Sequence, residues 1–147
     1  MIKNQLYKKC LELLNLQLDK YHKEMSVVRE ALESESSPSE DDDGGKGEML
    51  NELEKYARYI ETTEKTKEQL KRIDVSQEHQ VVANGSLVET ENNFFFITVA
   101  LGKLDLEDNK NYYSISTAAP IYEHLKGKKA GDSFNFNNIN YKILKVF

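Results

Sequence analysis

The N-terminal half of the chain carries an apolar stripe with the spacing of a coiled coil. Apolar residues recur there at alternating intervals of four and three, and the positions between them are mostly polar: Tyr7, Leu11, Leu14, Leu18, Tyr21, Met25, Val28 and Leu32. This spacing keeps the side chains on one face of a helix, as at the a and d positions of a heptad. A helix with such a stripe needs a partner that covers it.

A second segment with the same spacing supplies that partner: Met49, Leu53, Tyr56 and Ile60, closed by Leu70 and Ile73. Between the two segments, residues 34–47 contain Pro38 and three glycines, which predict a loop that ends helix on both sides. Folding the chain back about this loop places residue i opposite residue 81 − i, and apolar positions then meet apolar positions. The pattern predicts an antiparallel coiled-coil hairpin over residues 1–75, with residues 34–47 as its tip loop.

This register makes specific predictions about neighbours. It places Tyr21 opposite Ile60 and Met25 opposite Tyr56. In one stretch it places apolar against polar residues, and there we expect a weaker seam: Leu18 faces Thr63, and Leu14 faces Lys67.

The C-terminal half changes to a β pattern after a polar linker at residues 76–84. From residue 85 onward the chain is rich in β-branched and aromatic residues separated by turn signals, with a tight turn at Asn92-Asn93. Pro120 begins a short helix to Leu125, which Gly127 ends. Strands are predicted at Ser86–Thr90, Phe94–Leu101, Asn111–Ile115, Ser133–Phe136 and Asn140–Val146. The fold class is therefore α+β, with a helical hairpin followed by a small antiparallel sheet domain over residues 85–147.

Composition excludes several classes of protein. The chain has 147 residues, no apolar run of membrane-spanning length and no apolar region of a secretory signal near Met1, so we expect a cytoplasmic protein without a membrane partner. A single cysteine, Cys10, excludes an internal disulfide. The net charge is −5, but residues 30–48 hold eight acids and one base, so the remaining chain carries +2. This distribution argues against a general nucleic-acid-coating protein.

Four consecutive acids at the predicted tip, Glu40, Asp41, Asp42 and Asp43, are the most unusual chemical feature. Carboxylate oxygens of this kind suit Mg²⁺, although a loop alone would bind the ion weakly. The alternative is a solvated loop that keeps the hairpin soluble. Catalytic motifs are otherwise absent from the sequence: the three histidines are far apart, Cys10 is expected to be a packed helix thiol, and no phosphate-binding or nucleophile-elbow motif occurs. Lys126, Lys128 and Lys129 predict a solvated basic turn that could also contact an acidic partner or a phosphate.

The C-terminal half resembles the C-terminal domain of the bacterial Gre transcript-cleavage factors. Residues 113–132 read YSISTAAPIYEHLKGKKAGD, and in that family a strand ending in I-S-x-x-S-P-[IM] runs into a short helix and then L-x-G-K-x-x-G-D. Gly85-Ser86-Leu87-Val88 and residues 140–146 resemble the opening and closing strands of the same domain. The family's tip motif, G-D-[LF]-[SK]-E-N-A-E-Y, is replaced here by a longer, glycine-rich acidic segment, and alanines stand at positions 118 and 119 before Pro120.

This resemblance implies an FKBP-like sheet domain and a protein that binds bacterial RNA polymerase. The coiled coil would enter the secondary channel and place Glu40–Asp43 near the catalytic Mg²⁺, close to nucleic acid within the complex, while Pro120 and Ile121 would dock on the polymerase. The chain would then be an accessory factor that lacks a small-molecule substrate, and it is not itself an enzyme. Whether it stimulates RNA cleavage or only occupies the channel stays open. The rival hypothesis is a coiled-coil interaction or dimerisation protein without a role in transcription. Prolyl isomerase activity is disfavoured by the absence of tryptophan and of a pocket signature.

Overall fold

The computed structural model describes residues 1–34 and 43–147 and confirms the α+β class. Two long helices, α1 (Ile2–Ser34) and α2 (Asp43–Lys71), precede a six-stranded sheet with one short helix. The sheet elements are β1 (Leu87–Thr90), β2 (Phe94–Ile97), β3 (Gly102–Leu104), β4 (Tyr112–Ile115), α3 (Tyr122–Leu125), β5 (Ser133–Phe136) and β6 (Ile139–Val146). The chain divides into two compact units, residues 12–68 (the hairpin unit) and residues 1–11 with 69–147 (the sheet unit). The predicted domain boundaries at residues 75 and 85 stay a prediction.

The start of α2 corrects the predicted loop. Helix begins at Asp43, so Gly44, Gly45 and Gly47, which were expected to stop it, are helical. Each glycine costs a helix roughly 1 kcal/mol relative to alanine, but adding residues to an existing helix is far easier than nucleating one. The long apolar-faced segment downstream therefore extends through the glycines. The other predicted loop residues, 35–42, lie outside the described residues.

The hairpin unit buries the predicted seam. Leu14, Leu18 and Thr63 are buried. The remaining seam positions are half-buried, namely Tyr21, Met25, Val28, Leu32, Met49, Leu53, Tyr56 and Ile60. The stretch expected to be weak is thus the most deeply buried one. Thr63 is tolerated there because its hydroxyl donates a hydrogen bond to the carbonyl of Tyr59, 2.7 Å away, which leaves its methyl group for packing.

Tyrosine contacts confirm the antiparallel direction of the hairpin. The ring of Tyr21 lies 6.4 Å from that of Tyr56 and 5.3 Å from that of Tyr59. Tyr56 also lines a groove with Val27 and Val28. The α1 residues near Tyr56 thus lie on both sides of Met25, the partner that the sequence predicts for Tyr56. The predicted register is therefore correct to within about one helical turn.

In the sheet unit, the buried stripe of α1 lies one residue away from the predicted seam. Leu6 and Cys10 are fully buried, whereas Tyr7 and Leu11 are half-buried. The Cys10 thiol contacts the Ser114 hydroxyl of β4 at 3.7 Å. The first residues of α1 thus face the sheet, and a heptad count extended from the hairpin assigns their faces wrongly.

The sheet is mixed, which corrects the predicted all-antiparallel arrangement. Its strand order is β3-β4-β2-β1-β6-β5. Strands β2 and β4 pair in parallel, from Phe94 opposite Tyr112 to Ile97 opposite Ile115, and every other pair is antiparallel. The predicted long strand to Leu101 ends at Ile97, and the chain then turns back into β3, which pairs with β4. The crossover through β3 brings β4 beside β2 in the parallel direction.

Both faces of the sheet are covered at its centre. Phe95 belongs to a core with Ile121, Tyr122 and Leu125, the residues that begin and form α3. Phe96, on the opposite face, is fully buried as well. Phe95 and Phe96 therefore pack on opposite faces of β2, and both faces are covered there.

Gly85 is the position where the fold depends most clearly on a missing side chain. Its φ is +91°, and a Cβ atom there would lie 3.1 Å from Cγ2 of Ile73 and 3.4 Å from the carbonyl oxygen of Asp74. Gly102 also has a positive φ, +73°, but a Cβ there would meet nothing within 4 Å. An alanine at Gly102 would therefore add backbone strain alone, whereas an alanine at Gly85 would add both backbone strain and steric crowding.

We expect Gly85→Ala to destabilise the protein by about 2–3 kcal/mol, and Gly102→Ala by about 1 kcal/mol. The difference reports the crowding against Ile73, since both variants share the strain of a positive φ. Urea unfolding followed by circular dichroism measures both values. Equal losses of stability in the two variants would contradict the close approach at Gly85.

Candidate functional site

The predicted metal-binding acids fall mostly outside the described residues. Glu40, Asp41 and Asp42 lie in the segment 35–42, and Asp43 is the first residue of α2. Among the residues that the structure describes, no group of three or more histidine, cysteine, aspartate or glutamate side chains could hold a metal ion. The role of the four predicted acids as Mg²⁺ ligands stays a prediction.

The helix pair that flanks this segment is held by aromatic and polar contacts. The rings of Tyr56 and Tyr59 meet edge to face at 6.2 Å, and both contact Tyr21. A hydrogen bond to the Glu24 carboxylate raises the pKa of Tyr56 to about 12. The phenol is therefore neutral at pH 7 and can donate this bond. These three tyrosines hold α1 against α2 within the hairpin unit. Two of them, Tyr21 and Tyr56, are at seam positions that the sequence predicts to be close to the other helix.

The predicted docking residues differ in exposure. The segment between β4 and α3 is ordered by Ser116, whose hydroxyl accepts a hydrogen bond from the Ala118 amide at 3.2 Å and whose carbonyl accepts one from the Ala119 amide. Pro120 is exposed, whereas Ile121 is only 9% exposed and belongs to the sheet core. Pro120 can therefore touch a partner directly, and Ile121 holds the loop in place. Docking at this loop stays a prediction.

The single cysteine occupies a buried polar cluster. Ser114 donates a hydrogen bond to the carbonyl of Val99 at 2.5 Å and lies 3.0 Å from the Thr98 hydroxyl. Burial raises the pKa of the Cys10 thiol, and the contacts with Ser114 and Thr98 oppose that shift only in part. A protonated, enclosed thiol is a poor nucleophile. Cys10 thus serves packing, as the sequence predicted.

The other predicted features are spread over the surface. Lys126 and Lys129 are exposed at the turn after α3, where the Lys129 amide donates to the Asp132 carboxylate. His124 is exposed and stacks against Phe134. None of the long helices that the structure describes combines the length and apolarity that a membrane span requires.

Sequence reasoning missed a cavity in the sheet unit. Residues 1–4, 75–80 and 145–147 line it, and they include the buried Lys3 and the half-buried His79. These segments are far apart in the chain, and Lys3 resembles any surface lysine of α1. The sequence held one signal of this cavity: Lys3 lies on the same helix face as the buried Leu6 and Cys10, and a lysine on a buried face is unusual.

A comparison with solved structures finds a similar protein. No protein-family model matches the chain, and no curated protein matches it. A match among solved structures is titled "Structure of the transcription factor Gfh1". The two chains are 22% identical, 95% of this chain and 94% of that chain are covered, and the TM-score is 0.39.

Proposed function

We propose that the chain is a Gre-like accessory factor that binds bacterial RNA polymerase. Its hairpin would enter the secondary channel and bring Glu40–Asp43 close to the catalytic Mg²⁺. The observation that carries the proposal is the antiparallel hairpin itself: α1 ends at Ser34 and α2 begins at Asp43, so the acidic segment joins the two helices at their turn. A narrow helix pair can reach a site that a globular domain cannot enter.

The chemistry of the four side chains fits the proposed role. Consecutive carboxylates supply hard oxygen donors, the kind that Mg²⁺ prefers, and polymerase carboxylates would complete the coordination. A second metal at the polymerase active centre activates water for hydrolysis of the RNA 3′ end. The role of this protein would be to position the carboxylates. The packed seam from Leu14 to Leu32 would keep the hairpin stiff enough for that role.

The sheet unit supports the same proposal through the order of its elements. Strand β4 ends at Ile115, the Ser116-ordered loop follows, and α3 spans Tyr122–Leu125 before the turn at Gly131. This order is the one that the resemblance to Gre factors implies for the segment around Pro120.

Binding to polymerase tests the proposal. We expect immobilised full-length protein to retain bacterial RNA polymerase at an ionic strength of about 0.15 M, where exposed charges are strongly screened. Pro120→Ala should weaken retention several-fold, because this exposed side chain is proposed to touch the polymerase. Lys103→Ala, at an exposed position of β3, serves as the control and should leave retention unchanged. Absence of retention by the unaltered chain would overturn the proposal.

The rival function, self-association through the hairpin, is favoured by one observation. Four large apolar side chains on the two long helices remain exposed, by 56% for Leu16, 66% for Val27, 52% for Leu50 and 43% for Tyr59. Exposed apolar surface of this kind can mark a protein interface. Sedimentation equilibrium separates the two functions: a monomer that binds polymerase supports the first, and a stable dimer that does not bind polymerase supports the second.

A further inference from the structure

The cavity at the start of α1 has the size of a small-molecule site. Its volume is about 660 Å³, and its walls are residues 1–4, the connector residues 75–80 and the end of β6 at residues 145–147. Pockets that bind small ligands are commonly about 300–1,000 Å³. All three wall segments belong to the sheet unit, so the cavity does not depend on the hairpin.

A buried ammonium group lies in the wall of this cavity. Lys3 is only 9% exposed, and its Nζ donates to the main-chain oxygens of Gln77 at 2.7 Å and Phe147 at 3.4 Å. An ammonium carries three N–H groups, and the third has no partner among the described residues. No side-chain carboxylate in the described ranges lies within ion-pairing distance of it, although Asp74 and Glu78 act on it from farther away. A buried cation with a spare donor favours an anionic partner.

His79 also belongs to the cavity wall. Nε2 of His79 is buried without a hydrogen-bond partner in the part of the chain that the structure describes. Burial lowers the pKa of His79, so the ring is neutral at pH 7 and contributes no charge. Buried polar atoms are normally paired, so an unpaired one calls for an explanation. His79 therefore adds an enclosed neutral ring to the wall, and the positive charge there comes from Lys3.

The remaining walls set the character of the ligand. Lys145 adds a second cation, with its Nζ 4.5 Å from the centre of the Phe147 ring. Glu78 adds one carboxylate to the lining, so the charged side chains of the walls sum to +1, from Lys3, Lys145 and Glu78. Ile2, Val75 and Val146 add apolar surface. A ligand that matches these walls has anionic oxygens at one end and an apolar body at the other.

We propose that this cavity binds a small organic anion, with a carboxylate or phosphate held by Lys3 and Lys145 and an apolar body against Val75, Val146 and Phe147. This site is independent of the proposed polymerase binding. The anion would take up the spare N–H of Lys3 and turn a buried, incompletely paired charge into a charge-assisted hydrogen bond. Recognition therefore rests on charge first and on apolar contact second.

Three probes of one ring size test the proposal on the full chain: benzoate, phenyl phosphate and neutral benzamide. We expect at least one anion to bind with a dissociation constant below about 10 mM, with NMR shifts confined to residues 1–4, 75–80 and 145–147. Benzamide should bind at least tenfold more weakly. The two anions distinguish a carboxylate site from a phosphate site. Absence of binding by both anions, or equal binding by benzamide, would overturn the proposal.

Substitutions locate the site. Lys3→Gln and Lys145→Gln should each weaken binding of the anion, by about tenfold or more for Lys3 and by less for the exposed Lys145. Lys8→Gln removes the same charge from an exposed position of α1 outside the cavity and should leave binding unchanged. Lys145→Gln keeps the test decisive if Lys3→Gln does not fold. Equal affinity in all three variants would show that the cavity does not recognise the charge.

Discussion

Leu14→Ala is expected to lower the free energy of unfolding by about 3 kcal/mol. The Leu14 side chain is 1% exposed in the hairpin unit, and removing buried methyl groups from leucine costs both their transfer free energy and the cavity left behind, commonly about 2–5 kcal/mol. The sequence alone places Leu14 opposite the polar Lys67 and predicts a weak seam there, whereas the structure buries Leu14. The size of the stability loss decides between these two descriptions. Urea unfolding monitored by circular dichroism gives the value.

Leu16→Ala is the matched control for this prediction. It makes the same substitution on the same helix two residues away, but Leu16 is 56% exposed. Its effect should stay within about 0.5 kcal/mol, as for most surface substitutions. A loss of stability for Leu14→Ala as small as that for Leu16→Ala would mean that the seam near Leu14 is not packed as the structure describes.

The second large effect concerns the acidic segment. If the chain stimulates cleavage of backtracked RNA, Asp41→Asn/Asp43→Asn should reduce the stimulated rate by about 100-fold, because the amides keep the side-chain shape but remove the charge that favours a metal. Retention of polymerase should change less than about twofold, since the proposed docking residue, Pro120, lies outside the acidic segment. RNA cleavage in a purified backtracked elongation complex measures the first quantity, and the immobilised-protein assay measures the second.

A control removes the same charge near the end of α1. Glu30→Gln/Glu33→Gln changes two exposed acids on a described helix and should leave cleavage within about twofold of the unaltered chain. Cleavage that survives Asp41→Asn/Asp43→Asn would remove the metal-positioning role from these two residues. An unaltered chain that binds polymerase without stimulating cleavage would instead indicate a protein that occupies the channel.

The sequence predicted those parts of the fold that depend on local periodicity. The hairpin follows from a stripe that repeats every seven residues, and β1, β4 and β5 follow from apolar runs between turn signals, to within a residue at each end. The parallel pairing of β2 with β4 was not predictable in this way, since it depends on where a distant strand returns to the sheet. The helical glycines at the start of α2 also escaped prediction, because local propensity was outweighed by extension of a long helix.

The candidate sites likewise differ in whether they can be predicted from the sequence. An acidic segment between two helical segments is visible in the sequence as composition. The cavity beside the buried Lys3 is not visible in the sequence, because it forms where the start of α1, residues 75–80 and the end of β6 meet. Ile121 shows the same limit: the motif assigns it to docking, whereas only the structure reveals that its side chain lies in the core.

Directed cleavage of the protein chain tests whether the hairpin turn reaches the polymerase active centre. Polymerase loaded with Fe²⁺ in place of its catalytic Mg²⁺ generates hydroxyl radicals that cut nearby polypeptide, and end-labelled protein reports where the cuts fall. We expect cuts clustered between residues 34 and 48 and absent when the metal is omitted. Cuts confined to residues 85–147, or none above the level seen without polymerase, would contradict this expectation.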